Sequence, residues 1–181
     1  MQADEAGQVR DGWNGRFFED FAVGDVYRHP LGRTVTATDN AWFTLVAMNT
    51  NELHFNDHYS SRTEYNRQLV NSTLTLAIVV GLSVTDISRN AVANLGWDKV
   101  RMPHPVFIGD TLYAESIVLA ARPSGSRPYA GIVTVATQGL NQDGEVVLTF
   151  ERSIMVYRRD APQIQDTFPE AREPIQRLGG G

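Results

Sequence analysis

The sequence predicts a single α+β domain in which an antiparallel β-sheet wraps around a long central helix. Three observations lead there. The 181 residues suit one domain with a sizeable core. One apolar stretch, Ser72 to Ile87, is too long for a typical strand. Four segments with period-two patterning then follow in succession. Antiparallel strands with one apolar face can cover such a helix. A β-sandwich is the competing arrangement, and two capped helices argue against it.

Taken in order, Gly24-Asp25 reads as a turn into a short strand at Val26-Tyr27, and Arg33 to Thr36 as a second short strand. Thr38-Asp39 stands where a helix cap belongs, and Trp42, Leu45, Val46 and Met48 recur at helical spacing as far as about Asn49. Asn49 to Tyr59 is crowded with side chains that cap or turn the chain, and Arg62 to Gln68 is expected to add a helical turn. Asn71-Ser72-Thr73 is a second cap. Leu74, Leu76, Ala77, Ile78, Val79, Val80, Leu82 and Val84 follow it, apolar nearly all round, which predicts a buried helix. A central strand is the alternative for so Ile- and Val-rich a run, and length decides for the helix.

The strands are expected at Val92 to Met102, Thr111 to Ala121, Ala130 to Leu140 and Glu145 to Tyr157. In the second, Leu112, Ala114, Ser116, Val118 and Ala120 alternate with Tyr113, Glu115, Ile117 and Leu119. The turn Asn141-Gln142-Asp143-Gly144 should join the last two as a hairpin. Sheet around helix in this order is a hotdog fold. The folded body is expected over 15–159, with 1–14 and 160–181 as terminal arms.

Composition excludes several function classes. There is no cysteine, so no disulfide scaffold, thiol nucleophile or zinc-thiolate site. The formal net charge of -5 does not suit a nucleic-acid partner. No apolar run reaches the length of a membrane span and no secretory start is evident, so a cytoplasmic protein is expected. His54, Asp57 and His58 lack a convincing further ligand, so no metal site is expected.

Three segments carry a resemblance: Ala47-Met48-Asn49-Thr50-Asn51-Glu52-Leu53-His54-Phe55, Leu69-Val70-Asn71-Ser72-Thr73-Leu74 and Pro105-Val106-Phe107-Ile108-Gly109-Asp110-Thr111. Through them the chain resembles the MaoC-like, (R)-specific enoyl-CoA hydratase family of hotdog proteins, over roughly Phe17 to Arg158. The resemblance puts His54 on the catalytic histidine and Asn51 on the motif's asparagine. Asn49 takes the place of the catalytic aspartate and Glu52 that of a proline. Ser72 falls where the family commonly has glycine at the start of the central helix. The wider pattern, including Asn-Gln-Asp-Gly-Glu, is most similar to the branch handling C5-dicarboxylic thioesters such as mesaconyl-CoA, itaconyl-CoA and methylmalyl-type hydroxyacyl-CoAs.

Hydrating an enoyl thioester needs a base for water, an acid for Cα and a donor for the thioester oxygen. A neutral imidazole suits the base, which makes His54 the candidate. An amide at Asn49 cannot carry a proton but can hold the water or the imidazole. A backbone N–H at Ser72 is the candidate oxyanion donor, because helix starts offer orphan amides and a positive dipole end. The side chains of Asn71 and Ser72 are candidates for a substrate carboxylate. Among Arg122, Arg127, Arg152, Arg158 and Arg159, Arg127 is favoured to meet CoA phosphate. His29 and His104, each before a proline, are read as structural or exposed, and His58 as a surface residue. The expected function is reversible hydration of an acyl-CoA, with CoA as part of the substrate and no separate cofactor, in a homodimer or higher homo-oligomer. The alternatives are a thioesterase, with Glu52, Asp57 or Glu64 as its carboxylate, and a non-catalytic acyl-CoA-binding protein.

Overall fold

The computed structural model describes residues 10–165 and 167–173. Two short strands, β1 (Val26–Arg28) and β2 (Arg33–Thr34), precede α1 (Ala37–Val46) and α2 (Asp57–Ser60). The central helix α3 (Ser72–Ser83) runs on into a π-helical turn, Val84–Ser88. Four long strands follow: β3 (Ala91–Arg101), β4 (Thr111–Pro123), β5 (Ala130–Leu140) and β6 (Val146–Tyr157). All pairings are antiparallel in the order β1-β4-β5-β6-β3, with β2 also on β4. The four strands stand within two residues of their sequence bounds; α3 itself ends four residues before Ile87, and the π-helical turn carries the helical run on to Ser88.

The sheet curls over α3. Leu74, Val79 and Leu82 of the helix pack with Leu112, Ala114, Leu148 and Phe150 of the strands. Full burial of each such side chain is worth about 1.5–3 kcal/mol. Helix and sheet come closest at Gly139, where a Cβ would lie 2.6 Å from a Val79 methyl. The alternation in β4 holds for Leu112, Ala114, Ser116 and Val118, which face inward, and ends at a bulge between Val118 and Ala120. Ala120 is consequently exposed rather than in line with them.

Several sequence expectations change. The cap of α1 is Thr36, not Thr38-Asp39: the Thr36 hydroxyl accepts from the Asp39 N–H, and the Asp39 carboxylate accepts from the Thr36 N–H at 2.9 Å. Hydrogen bonds from Thr36, with Arg33 nearby, hold the Asp39 carboxyl below its usual range. Trp42, Leu45, Val46 and Met48 are exposed, and the face α1 buries is Asn40 and Thr44. No helix forms over Arg62 to Gln68, because Asn66 adopts a positive φ of 54° and the chain turns. Nor is α3 buried all round: its Ala77, Gly81 and Val84 stripe is open. Residues 1–9, 166 and 174–181 of the expected arms lie outside the described residues. Of the arm residues described, Trp13 donates from Nε1 to the Thr85 carbonyl and Ala161 is buried.

At the C-terminal end of α3 a polar chain is sealed inside. His29 is 5% exposed, with Nδ1 3.0 Å from Asp86 Oδ2 and Nε2 3.0 Å from Ser116 Oγ. A carboxylate only accepts, so Nδ1 carries the proton and Ser116 donates to Nε2. Arg16 closes the chain on Asp86 at 2.6 Å. Burial holds the His29 imidazole below its usual 6.5, outweighing the pull of Asp86. Burial alone would raise the Asp86 carboxyl, but its bonds to His29 and Arg16 and the Arg16 charge outweigh that and depress it. An imidazole that is neutral in the fold is protonated earlier in the unfolded chain, so stability falls as the pH drops through 6.5. The Asp86 contribution is lost only lower, through the carboxylate range. Thermal melts should therefore show stability declining between about pH 7.5 and pH 5, and a His29→Gln variant should melt lower but with a flatter slope over that interval.

Candidate active site

The polar stretch after α1 folds as two Asx turns in series. Asn49 Oδ1 accepts from the Asn51 N–H at 3.0 Å, and Asn51 Oδ1 accepts from the Leu53 N–H at 3.1 Å. Asn51 thereby caps the 3-10 turn Glu52–His54. That turn delivers His54 into the interior, where it is 7% exposed. His54 Nδ1 lies 2.9 Å from the Leu69 carbonyl oxygen. A carbonyl can only accept, so the neutral ring is protonated on Nδ1 and its Nε2 keeps a free lone pair.

Asn40, fully buried on α1, ties this turn to the start of α3. Its Nδ2 donates to the carbonyls of His54 at 2.7 Å and Leu69 at 3.1 Å. Its Oδ1 accepts from the Asn71 N–H at 2.8 Å. One turn on, Thr44 Oγ1 accepts from Asn71 Nδ2 at 3.2 Å. Asn71 Oδ1 in turn caps α3, accepting from the Thr73 N–H at 3.0 Å and the Thr73 hydroxyl at 2.7 Å. The side chain of Asn71 is thus spent inside the protein at both ends, and it positions the helix instead of reaching for a substrate carboxylate. Asn40 and Thr44 escaped the sequence reading. Their signal was two polar residues four apart on a helix otherwise rich in apolar side chains.

With the Asn71 N–H taken by Asn40 and the Thr73 N–H by Asn71, the Ser72 N–H at the tip of α3 has no acceptor among the described residues. Ser72 lines a cavity of about 260 Å³ together with Tyr65, Leu69, Thr75, His104 and Val147. The segment bearing His104 is held there by the Val70 N–H, which donates to the Val106 carbonyl at 2.8 Å. No Asp or Glu lines this cavity.

The remaining sequence candidates are dispersed. Asn49 is half-buried, and its Nδ2 makes no hydrogen bond among the described residues; nor does any bond join it to His54. Arg127 sits in the β4–β5 loop, exposed, with its guanidinium against Met155. That is the far end of β4 from the cavity, about 40 Å along the strand at ~3.3 Å per residue, so one chain does not bring Arg127 to His54. Glu52 and Glu64 are exposed, and Asp57 is held by Gln68 at 2.9 Å. Arg152 is buried beside Ser83, and Arg158 and Arg159 pair with Glu19 and Asp20. No cluster of three His, Asp or Glu side chains suited to a metal is present among the described residues. No helix among them is long and apolar enough to cross a membrane.

A family model described as mesaconyl-CoA hydratase matches residues 5–173. The chain belongs to that family. It is 40% identical over 158 residues to a mesaconyl-CoA hydratase of Cereibacter sphaeroides, covering 86% of this chain and 46% of that one. It is 36% identical over 163 residues to a β-methylmalyl-CoA dehydratase of Chloroflexus aurantiacus, covering 89% and 46%. Among solved structures, a MaoC domain protein dehydratase from Chloroflexus aurantiacus superposes with a TM-score of 0.79 at 34% identity, over 92% of this chain and 47% of that one. A Mycobacterium tuberculosis protein with a double hotdog fold superposes with a TM-score of 0.74 at 22% identity, over 84% and 47%, a likeness of fold alone. The hotdog fold expected from the sequence is the fold found. The chain spans about half the length of the curated mesaconyl-CoA hydratase and β-methylmalyl-CoA dehydratase it matches.

Removing the Asn40 carboxamide should unfasten the site before it unfolds the domain. Asn40→Asp keeps the acceptor for Asn71 but sets a carboxylate against two carbonyls. We expect a loss of about 2–4 kcal/mol in denaturant unfolding, the cost of unpaired buried groups. Amide exchange should rise at Asn71 and around His54 and stay low in β5 and β6.

Proposed function

We propose that the chain is a hydratase/dehydratase that interconverts an enoyl-CoA and a 3-hydroxyacyl-CoA. The observation that carries this reading is the buried His54, whose Nδ1–H is spent on the Leu69 carbonyl so that Nε2 remains a base. In hydration, Nε2 takes a proton from water as its oxygen bonds to Cβ. Negative charge moves to the thioester oxygen, where the unclaimed Ser72 N–H and the positive end of α3 can receive it. Cα then takes a proton, which the charged His54 can return from Nε2 or a second group can supply, and the hydroxyacyl thioester is complete. The free Asn49 amide supplies a hydrogen bond to orient the water or substrate, not a proton.

The family match supports a C5-dicarboxylic acyl group of the mesaconyl kind as the substrate; an itaconyl group and a cytoplasmic setting belong to the same proposal. Thioester hydrolysis is less favoured, since no carboxylate lines the cavity to activate water at the carbonyl. A purely acyl-CoA-binding role would leave the orientation of His54 without use.

A homodimer is part of the same reading. β3 is an eleven-residue edge strand paired, among the described residues, with β6 alone, and its Leu95 and Trp97 are exposed, as is a stripe of α3. The matched relatives carry about as much chain again. Arg127 would then meet CoA only across such an interface.

Sedimentation equilibrium should return at least twice the chain mass, and a monomer would remove the dimer from the reading. Incubation with crotonyl-, mesaconyl- and itaconyl-CoA, followed by mass, should show the gain of one water, with His54→Ala reduced by about 10³-fold or more. Asn49→Asp should slow turnover in both directions if the amide is adapted to this site. Release of free CoA would instead establish a thioesterase, and no turnover by the parent protein would leave a binding protein.

A further inference from the structure

Two imidazoles, not one, flank Leu69. His54 bonds its carbonyl, and His104 lines the cavity that Leu69 and Ser72 also line. The two rings are held alike. His104 Nδ1 lies 2.8 Å from the Val146 carbonyl oxygen, which can only accept, so Nδ1 carries a proton and Nε2 is the atom left for another partner. No hydrogen bond to His104 Nε2 occurs among the described residues. The ring is fixed in place from three sides. The Val106 carbonyl binds the Val70 N–H, Leu69 bridges Phe107, and Val146 begins β6.

The reaction proposed above has a place for a second proton-transfer group beside Ser72, and this ring fits it. Hydration moves a proton from water to one group and gives Cα a proton from that group or from a second; His54 is not among the residues that line the cavity beside Ser72, which leaves room there for a second group. Asn49 cannot be either, because a carboxamide neither gains nor gives a proton near neutrality. Of the residues lining the cavity, only Tyr65 and His104 are ionisable, and only an imidazole exchanges protons readily at neutral pH. We propose that His104 is the second proton-transfer group of this site, giving the proton to Cα in hydration and taking it in dehydration. The inference rests on the hydratase reading and goes further by assigning the second group.

The protons balance. His54 Nε2 removes one proton from water as the Cβ–O bond forms. The proton on Nε2 of the His104 imidazolium passes to Cα as the charge on the thioester oxygen collapses. The chain is left with His54 charged and His104 neutral, and exchange with solvent, to which His104 is open, restores both. The groups around His104 do not substitute for it. Arg67 is stacked on Phe107 at 3.6 Å, Glu145 accepts from Asn141 Nδ2 at 2.8 Å, Arg101 is exposed at the end of β3, and Tyr65 lies across the cavity.

Two proton-transfer groups in opposite states give a hydration rate that rises and then falls with pH; a single base gives one that only rises. The test compares the pH profile of kcat for hydration by the parent with that of His104→Asn, whose amide can keep the bond to Val146. The expected result is a bell-shaped parent profile. The variant should melt as the parent does, lose about 10²-fold or more in kcat, and no longer fall at high pH. His104→Gln serves as the second variant should His104→Asn melt lower. Parent turnover that survives undiminished in a folded variant, or a variant that keeps the high-pH fall, overturns the assignment while leaving the hydratase reading intact. No turnover by the parent overturns both.

Discussion

The Asn40 carboxamide is the contact on which the site depends. It is fully buried and makes three bonds to three backbone groups from two separate segments. Those groups belong to the turn that carries His54 and to the strand-like lead into α3. Neither segment has a ladder of its own to satisfy its polar atoms. Each such bond is worth only about 1 kcal/mol net, but each group left unpaired inside costs about 1–3 kcal/mol. The carboxamide is therefore worth more as a means of avoiding orphans than as glue. It also explains the inverted face of α1. A helix with Trp42, Leu45 and Val46 available turns Asn40 and Thr44 inward, because only those two can meet the polar lining there.

The same accounting creates the reactive atoms. Satisfying Leu69 twice, from Asn40 and from His54, fixes the imidazole tautomer and leaves Nε2 basic. Capping α3 through the Asn71 side chain takes the Thr73 amide, while Asn40 takes that of Asn71. The Ser72 amide between them is left without an acceptor among the described residues. A base and an unpaired donor thus arise from one network, without a charged residue to hold them. Neutrality suits the purpose: a carboxylate at the helix start would compete for the very N–H groups that an oxyanion needs.

The fold was largely legible because its signals are local. The bounds of β5 follow from periodicity, the start of α3 from its cap, and the turn at Asn141 from turn chemistry. What escaped were features decided across the chain. The place of Thr36 as cap depends on a reciprocal bond with Asp39 that begins two residues before the visible cap signal. The exposure of Trp42 depends on a polar partner thirty-one residues from Asn40. The open face of α3 cannot be seen in its composition, because the sheet that should cover it curls over one side only. At the site, His54 and Ser72 were legible through motif and helix cap. Asn40 was not, since its spacing from Thr44 marks only a polar face, and its role appears once its three partners are assembled. His104 was set aside because a histidine before proline looks like a loop residue, and only the pairing of its loop with Leu69 and Val70 brings it to the cavity.

The two ends of α3 use buried polarity in opposite ways. At the N-terminal end the network is neutral and leaves the Ser72 N–H and the Nε2 atoms of His54 and His104 without a partner among the described residues. At the other end the charges are closed on one another. Arg16, Asp86, His29, Ser116 and Thr137 form a continuous chain of bonds, each member accounted for. Beside them Arg152 is 3% exposed, and burial lowers its guanidinium to about 10. Even so it stays charged near neutral pH, and among the described residues its hydrogen bond is a 3.4 Å contact with the Ser83 hydroxyl in the last turn of the helix. A cation at that position opposes the negative end of the α3 dipole, which offsets part of the cost of burying it. The dipole of one helix thereby links the two ends. It favours a fixed positive charge where the helix ends and a transient negative one where it begins, so the closed network secures the helix whose open end can do the chemistry.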